Sequence, residues 1–161
     1  MGSPLFMRDV NLRLAIVGPP AGSAAEFNCD VHTAEIVSSA GDEVTYSTLC
    51  SEGSYSSVGR TTFALHVVAA QRWAADGLAT FLWDHDGELA TFEYQAHGDG
   101  VTPTADLPGM AGEVRLVAGN YGGEVDTYAE LDVTLACTSK PTKIVAAFPA
   151  VEEAEAATAA A

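Results

Sequence analysis

The chain has 161 residues, enough for one domain with a real core, and 48% of them are hydrophobic. Twenty-two acidic residues stand against seven basic ones, a formal net charge of −15. That balance excludes adhesion to duplex DNA through its phosphates and docking on anionic membranes, both of which need clustered Lys and Arg. No apolar run approaches the roughly 20 residues that span a bilayer, and the opening MGSPLFMRDVNLRL has no pattern of a secretory signal.

The first predicted element is a strand in which Val10, Leu12, Leu14 and Ile16 alternate with Asn11, Arg13 and Ala15. Two prolines in GPPAG (18–22) end it, since proline cannot donate to a sheet ladder. A second strand is predicted over EFNCDVHTAEIV, with Phe27, Cys29, Val31 and Thr33 on one face. The Ala40-Gly41-Asp42 turn leads into a third, EVTYSTL. The next stretch, Cys50–Thr62, is rich in Ser, Gly and Thr without an apolar stripe and reads as a mobile or functional loop.

A strand follows at Phe63–Val68, then a helix carried by Leu78, Phe81, Leu82 and Trp83, with Asp76 as its expected N-cap. Glu88–Ala96 and EVRLVAG read as strands. The segment EVDTYAELDVTLAC reads as the longest strand, and KPTKIVAAFP as a short closing one. The Ala/Glu segment 150–161 is expected to be a flexible tail. Seven or so strands and one helix predict a mainly β fold, an antiparallel β-sandwich with one flanking α-helix.

The stretch most suggestive of chemistry is LWDHDGEL (82–89), with three carboxylates and a histidine close together. Its spacing fails as a calcium loop: counted from Asp84, Gly87 falls at the fourth position and Gln95 at the twelfth. It fails for zinc too, because His85 and His97 fall on different elements without a second pair. A helix end, an Asp86-Gly87 turn and a strand start account for every residue. His32 and His66 read as strand histidines with hydrogen-bond partners. No GxSxG elbow supports a serine nucleophile. Cys29, Cys50 and Cys137 share no CxxC spacing and read as buried free thiols. Neither a catalytic residue nor a metal or other cofactor is expected.

The informative pattern is GEVDTYAELDVTL. Read as one strand, it places Glu124, Asp126, Glu130 and Asp132 on one face and Val125, Leu131, Val133 and Leu135 on the other. Like charges at neighbouring cross-strand spacing repel, and an ordinary exposed face interleaves both signs. Between Trp73 and Asp132 there are twelve acidic residues against Arg115 alone. The imbalance favours a functional acidic surface over a merely solvated one. A passage lined with negative charge would let DNA slide without adhesion.

Taken together, TAEIVSSAGDEVTYSTLCSEGSYSSVG, FLWDHDGELATFEYQAHG and GMAGEVRLVAGNYGGEVDTYAELDVTL resemble the major tail (tail tube) proteins of long-tailed phages infecting actinobacteria, over about Phe6 to Pro149. The resemblance implies a β-sandwich tube domain over 10–149 that closes into hexameric rings and stacks into a DNA-conducting tube. It implies an N-terminal arm at 1–9 and an inter-ring loop at 41–62, with Glu52, Gly53, Ser54, Tyr55, Gly59 and Arg60 in its reach. The four acidic residues would face the lumen. The partners would be other copies of the chain and, at the tube ends, other tail proteins; DNA would pass without specific binding. The place would be the virion, after assembly in the host cytoplasm. Some relatives carry an added immunoglobulin-like domain; this chain ends in the Ala/Glu tail, so such decoration is not expected. The alternatives are another virion β-sandwich (a tail terminator or capsid decoration protein) and a small β-sandwich binding module or hydrolase.

Overall fold

The computed structural model describes residues 10–18, 24–47, 54–97 and 102–146. The predicted arm 1–9, the tail 150–161, Cys50, Glu52 and Gly53 lie outside them. Among the described residues the order is β1 (Asn11–Ile16), β2 (Ala25–Glu26), β3 (Val31–Ser39), β4 (Glu43–Ser47), β5 (Ser54–Val58), β6 (Thr62–Ala70), α1 (Leu78–Asp84), β7 (Leu89–Gln95), β8 (Gly109–Arg115), β9 (Glu130–Ala136) and β10 (Thr142–Ile144).

Every strand pairing is antiparallel. One sheet has the order β10-β8-β7-β1-β2, a second β3-β6-β9, and β4-β5 forms a separate hairpin. Period-2 alternation gives each large sheet one apolar face, and the two faces meet in a shared core. Leu12, Leu14, Phe92 and Val114 come from the first sheet; Leu65, Val67, Leu131 and Leu135 come from the second. The Tyr94 hydroxyl on β7 donates to the Ala34 carbonyl on β3 at 2.6 Å, a buried tie from sheet to sheet. Near the opposite edge a single bridge, Val114 with Cys137, brings the sheets together again.

The helix begins differently from the expectation. Its N-cap is Gly77, which makes no side-chain cap bond. A side chain at 77 would run into the Arg72 carbonyl, so the chain can pass there only as glycine. Asp76 is instead held by Arg72 at 3.0 Å, and that guanidinium, through its hydrogen bond, keeps the carboxyl below its usual range. The buried Asp30, far away in sequence, accepts from Leu78 N–H at 3.2 Å.

Three further expectations are corrected. The predicted second strand is two, because the chain turns at 28–30, where Asp30 N–H and Val31 N–H both donate to the Phe27 carbonyl. The Ser-rich stretch is no unpaired loop: β5 pairs with β4 in register Glu43 with Val58 through Ser47 with Ser54. The buried-thiol reading fails at Cys29, which is exposed; Cys137 is half-buried, and both are free.

Leu131, near the start of β9 on the second sheet's inner face, is 0% exposed. Leu131→Asp places an unpaired charge there and is expected to cost about 4–5 kcal/mol or more. Loss of cooperative thermal unfolding and of the near-ultraviolet dichroism signal would show it.

Candidate functional site

The outer face of β3-β6-β9 carries three acidic residues, Glu35, Glu130 and Asp132. Strand alternation turns Leu131, Val133 and Leu135 inward and leaves Glu130, Asp132 and Thr134 exposed. The registers place Glu35 opposite His66 and His66 opposite Thr134, with Asp132 one diagonal step away opposite Val68. No Lys or Arg occurs in the three strands. Glu130 and Asp132 thus lie where the sequence pattern put them, and Glu35 joins them from β3.

Glu124 and Asp126 do not. Strand β9 starts at Glu130, opposite Ala70 at the end of β6, and residues upstream have no neighbouring strand to pair with. The Gly122-Gly123 pair and a left-handed Asp126 (φ 67°) fold the chain into a loop instead. Gln71 pins that loop at its base: its side-chain oxygen accepts from Gly122 N–H at 3.0 Å, and its side-chain amide donates to the Gly122 and Glu130 carbonyls. Val125, expected in the core, is 89% exposed.

His66 organises the face. One ring nitrogen lies 3.1 Å from Glu35 Oε1 and the other 2.9 Å from Asp132 Oδ1. A neutral imidazole has one N–H and one lone pair, so one of these contacts would set a lone pair against a carboxylate; the charged ring donates to both. Its pKa is accordingly raised, first by the hydrogen bond to Asp132 and then by that to Glu35. Sequence reading missed this row because register, which no local pattern shows, brings the three together. At the hairpin end of the same face lies an open depression of about 290 Å³, lined by residues including Val37, Ser39, Thr62, His66 and Thr134.

His85, Asp86, Gly87 and Glu88 of the LWDHDGEL cluster all have structural partners. α1 ends at Asp84, and Gly87 (φ 82°) makes the left-handed step of the turn. His85 contacts Glu88 at 3.0 Å, Asp86 accepts from Ala118 N–H at 2.7 Å, and Arg115 donates to the Gly87 carbonyl. The His97 ring lies 2.8 Å from the Leu107 carbonyl through Nε2, far from this turn in purpose. Among the described residues no three His, Cys, Asp or Glu stand together as a metal site. Of the residues expected in the inter-ring loop, Ser54 and Tyr55 belong to β5, while Gly59 and Arg60 form the link to β6.

One solved tail shares this fold. A chain in the tail of an empty gene transfer agent particle, of C6 symmetry, superposes with a TM-score of 0.52 at 15% identity, covering 82% of this chain and 94% of its own length. A chain of the native gene transfer agent virion aligns with a TM-score of 0.48 at 14% identity, over 84% of this chain and 95% of its own. No protein-family model and no curated protein matches the sequence.

Pairing raises the native pKa of His66 above the 6.5 of an unfolded chain. The stability it contributes is therefore complete below pH 6.5 and lost as pH rises through the native value. His66→Gln is expected to flatten the pH dependence of the melting temperature above 6.5, and added salt to shrink the wild-type effect. Thermal melts from pH 5 to 9 at two salt concentrations measure both.

Proposed function

We propose that this chain is a structural protein of a phage-like tail and, more finely, the subunit of its tube. Six copies close into a ring, rings stack, and DNA passes through the lumen. The observation that carries the reading is the outer face of β3-β6-β9, where Glu35, Glu130 and Asp132 stand without a single Lys or Arg. Even with the His66 ring charged, three carboxylates outnumber it, so a lumen of that character is net negative and repels phosphate. The fold shared with a chain of a C6-symmetric tail supports the same reading. Glu124 and Asp126, on their loop, take no part in that lining.

Ring closure also answers a physical need. Strands β3 and β9 are the edges of a three-stranded sheet, and open edges invite uncontrolled pairing unless a neighbour covers them. A cyclic array pairs each edge with the next copy and leaves none free. The hairpin β4-β5, within the stretch 41–62, then serves contact between rings. No cofactor and no membrane enters this role; other tail proteins meet the tube at its ends, and the product resides in the virion after assembly in the host cytoplasm.

Electron microscopy of the concentrated protein is expected to show six-fold rings and tubes. Rings that never stack would favour a tail terminator, and monomers alone would refute the tube. The lumen assignment has its own test in the paired substitution Glu130→Lys with Thr134→Lys, which leaves the Glu35–His66–Asp132 row in place. Tubes are expected to form, but DNA ejection from the particles should slow several-fold, most at low salt, because each lysine gives the phosphates a counter-charge. Ejection at the wild-type rate and salt dependence would place this face on the outside.

A further inference from the structure

The described residues carry two exposed apolar surfaces, at opposite ends of the same sheet. The hairpin β4-β5 continues from the end of β3 and the start of β6, and exposes Val44 (67%), Tyr46 (68%) and Val58 (72%). At the other end, past Ala70, Trp73 packs against Trp83 and Tyr121 with ring centroids 5.9 and 5.4 Å apart. All three rings remain substantially exposed. The loop that follows Tyr121 is pinned by Gln71, and by Asn120, which donates to the Glu130 carbonyl and accepts from Asp132 N–H. On that fixed base it presents Val125 and Tyr128, 89% and 98% exposed.

We infer that this aromatic corner is the seat for the β4-β5 hairpin of a second copy. The area argues for an occupant. Aromatic side chains bury about 150–250 Å² each, so Trp73, Trp83, Tyr121, Val125 and Tyr128 together expose on the order of 600–700 Å². That is at or above the upper end of the roughly 300–600 Å² expected of a monomer's largest patch. It approaches the ~800 Å² that one side of a standard interface buries.

The placement argues for which occupant. Nine residues of β6 at about 3.3 Å each separate the two ends by roughly 30 Å, so a copy cannot cover its own corner with its own hairpin. An apolar projection at one end and an apolar seat at the other make a head-to-tail contact, which repeats along an axis instead of closing into a pair. Val44 and Tyr46 lie on one face of the hairpin, two residues apart, and so enter the seat together. The tyrosine ring meets Trp73, Trp83 and Tyr121 edge to face, the arrangement aromatic pairs favour. The inference rests on the tube reading for the identity of the repeating axis and adds to it the surface that receives the hairpin.

Two measurements on the full chain test it. With Tyr46→p-benzoyl-Phe in assembled protein, irradiation should cross-link position 46 to Trp73, Trp83 or the 121–129 loop of another copy, located by mass spectrometry. The exposed pair Trp83→Ser with Tyr121→Ser should keep the wild-type circular dichroism and thermal melt and still give six-fold rings. Stacking should then need a protein concentration raised roughly tenfold or more. Tubes that cross-link position 46 elsewhere, or a serine pair that stacks at the wild-type concentration, would overturn the seat while leaving the tube reading intact. A wild-type chain that never associates would overturn both.

Discussion

A single buried carboxylate holds the architecture in register. Asp30 sits at the turn that ends the first sheet and begins the second, its side chain 4% exposed. It receives Arg72 Nε at 2.7 Å and Nη2 at 3.2 Å, and it accepts the first free N–H of α1. A charge withdrawn from water is tolerated only when its oxygens are satisfied in this way. The bonds join the β2–β3 turn to the segment after β6 and to the start of the helix, 42 and 48 positions away. With these fixed, Phe27 meets Phe81 at 5.2 Å inside, and Trp73 and Trp83 are held side by side outside. Both the core under the helix and the aromatic corner above it depend on where that one side chain points.

The second organising constraint is electrostatic. A chain with a net charge of −15 must keep its carboxylates apart or partner them, and it does the two things in different places. Arg13 pairs with Glu26 at 2.6 Å on the five-stranded sheet, and Arg72 takes Asp30 and Asp76. The three-stranded sheet receives no such cation. Its outer face relies on His66, a group whose charge depends on pH, to join three strands. That face, with Glu35, Glu130 and Asp132 and no Lys or Arg in its strands, is the feature on which the proposed lumen rests.

Much of this was legible in the residues. Alternation located β1 and the inward set Leu131, Val133 and Leu135, because apolar burial against a second sheet imposes period two. It also located β4, although Val44 and Tyr46 stay exposed, and the Thr, Phe and Tyr content located β7. The Asp86-Gly87 turn was legible because only a residue without a Cβ takes φ 82° at no cost. What escaped depends on long-range contacts. The break at Asn28–Asp30 exists because Asp30 turns inward to Arg72, 42 positions away. Residues 124–129 alternate like a strand, yet β6 has already ended and offers them no partner. The Ser-rich segment forms β5 because β4 lies beside it, whatever its own weak pattern. Of the candidate site, Glu130 and Asp132 could be found from one strand; Glu35 and His66 needed the register of three.

The Tyr94 hydroxyl has a use beyond its structural one. Burial, with the nearby charge of Glu35, pushes its pKa up to about 12, and its proton is committed to the Ala34 carbonyl of the opposite sheet. The phenolate absorbs in the ultraviolet where the neutral ring does not, so this residue is an optical reporter set between the two layers. The chain has five tyrosines, and the Tyr94 share of the phenolate absorbance is the part that burial between the sheets holds back. The molecule carries its own intrinsic probe of layer separation, with no dye or label required.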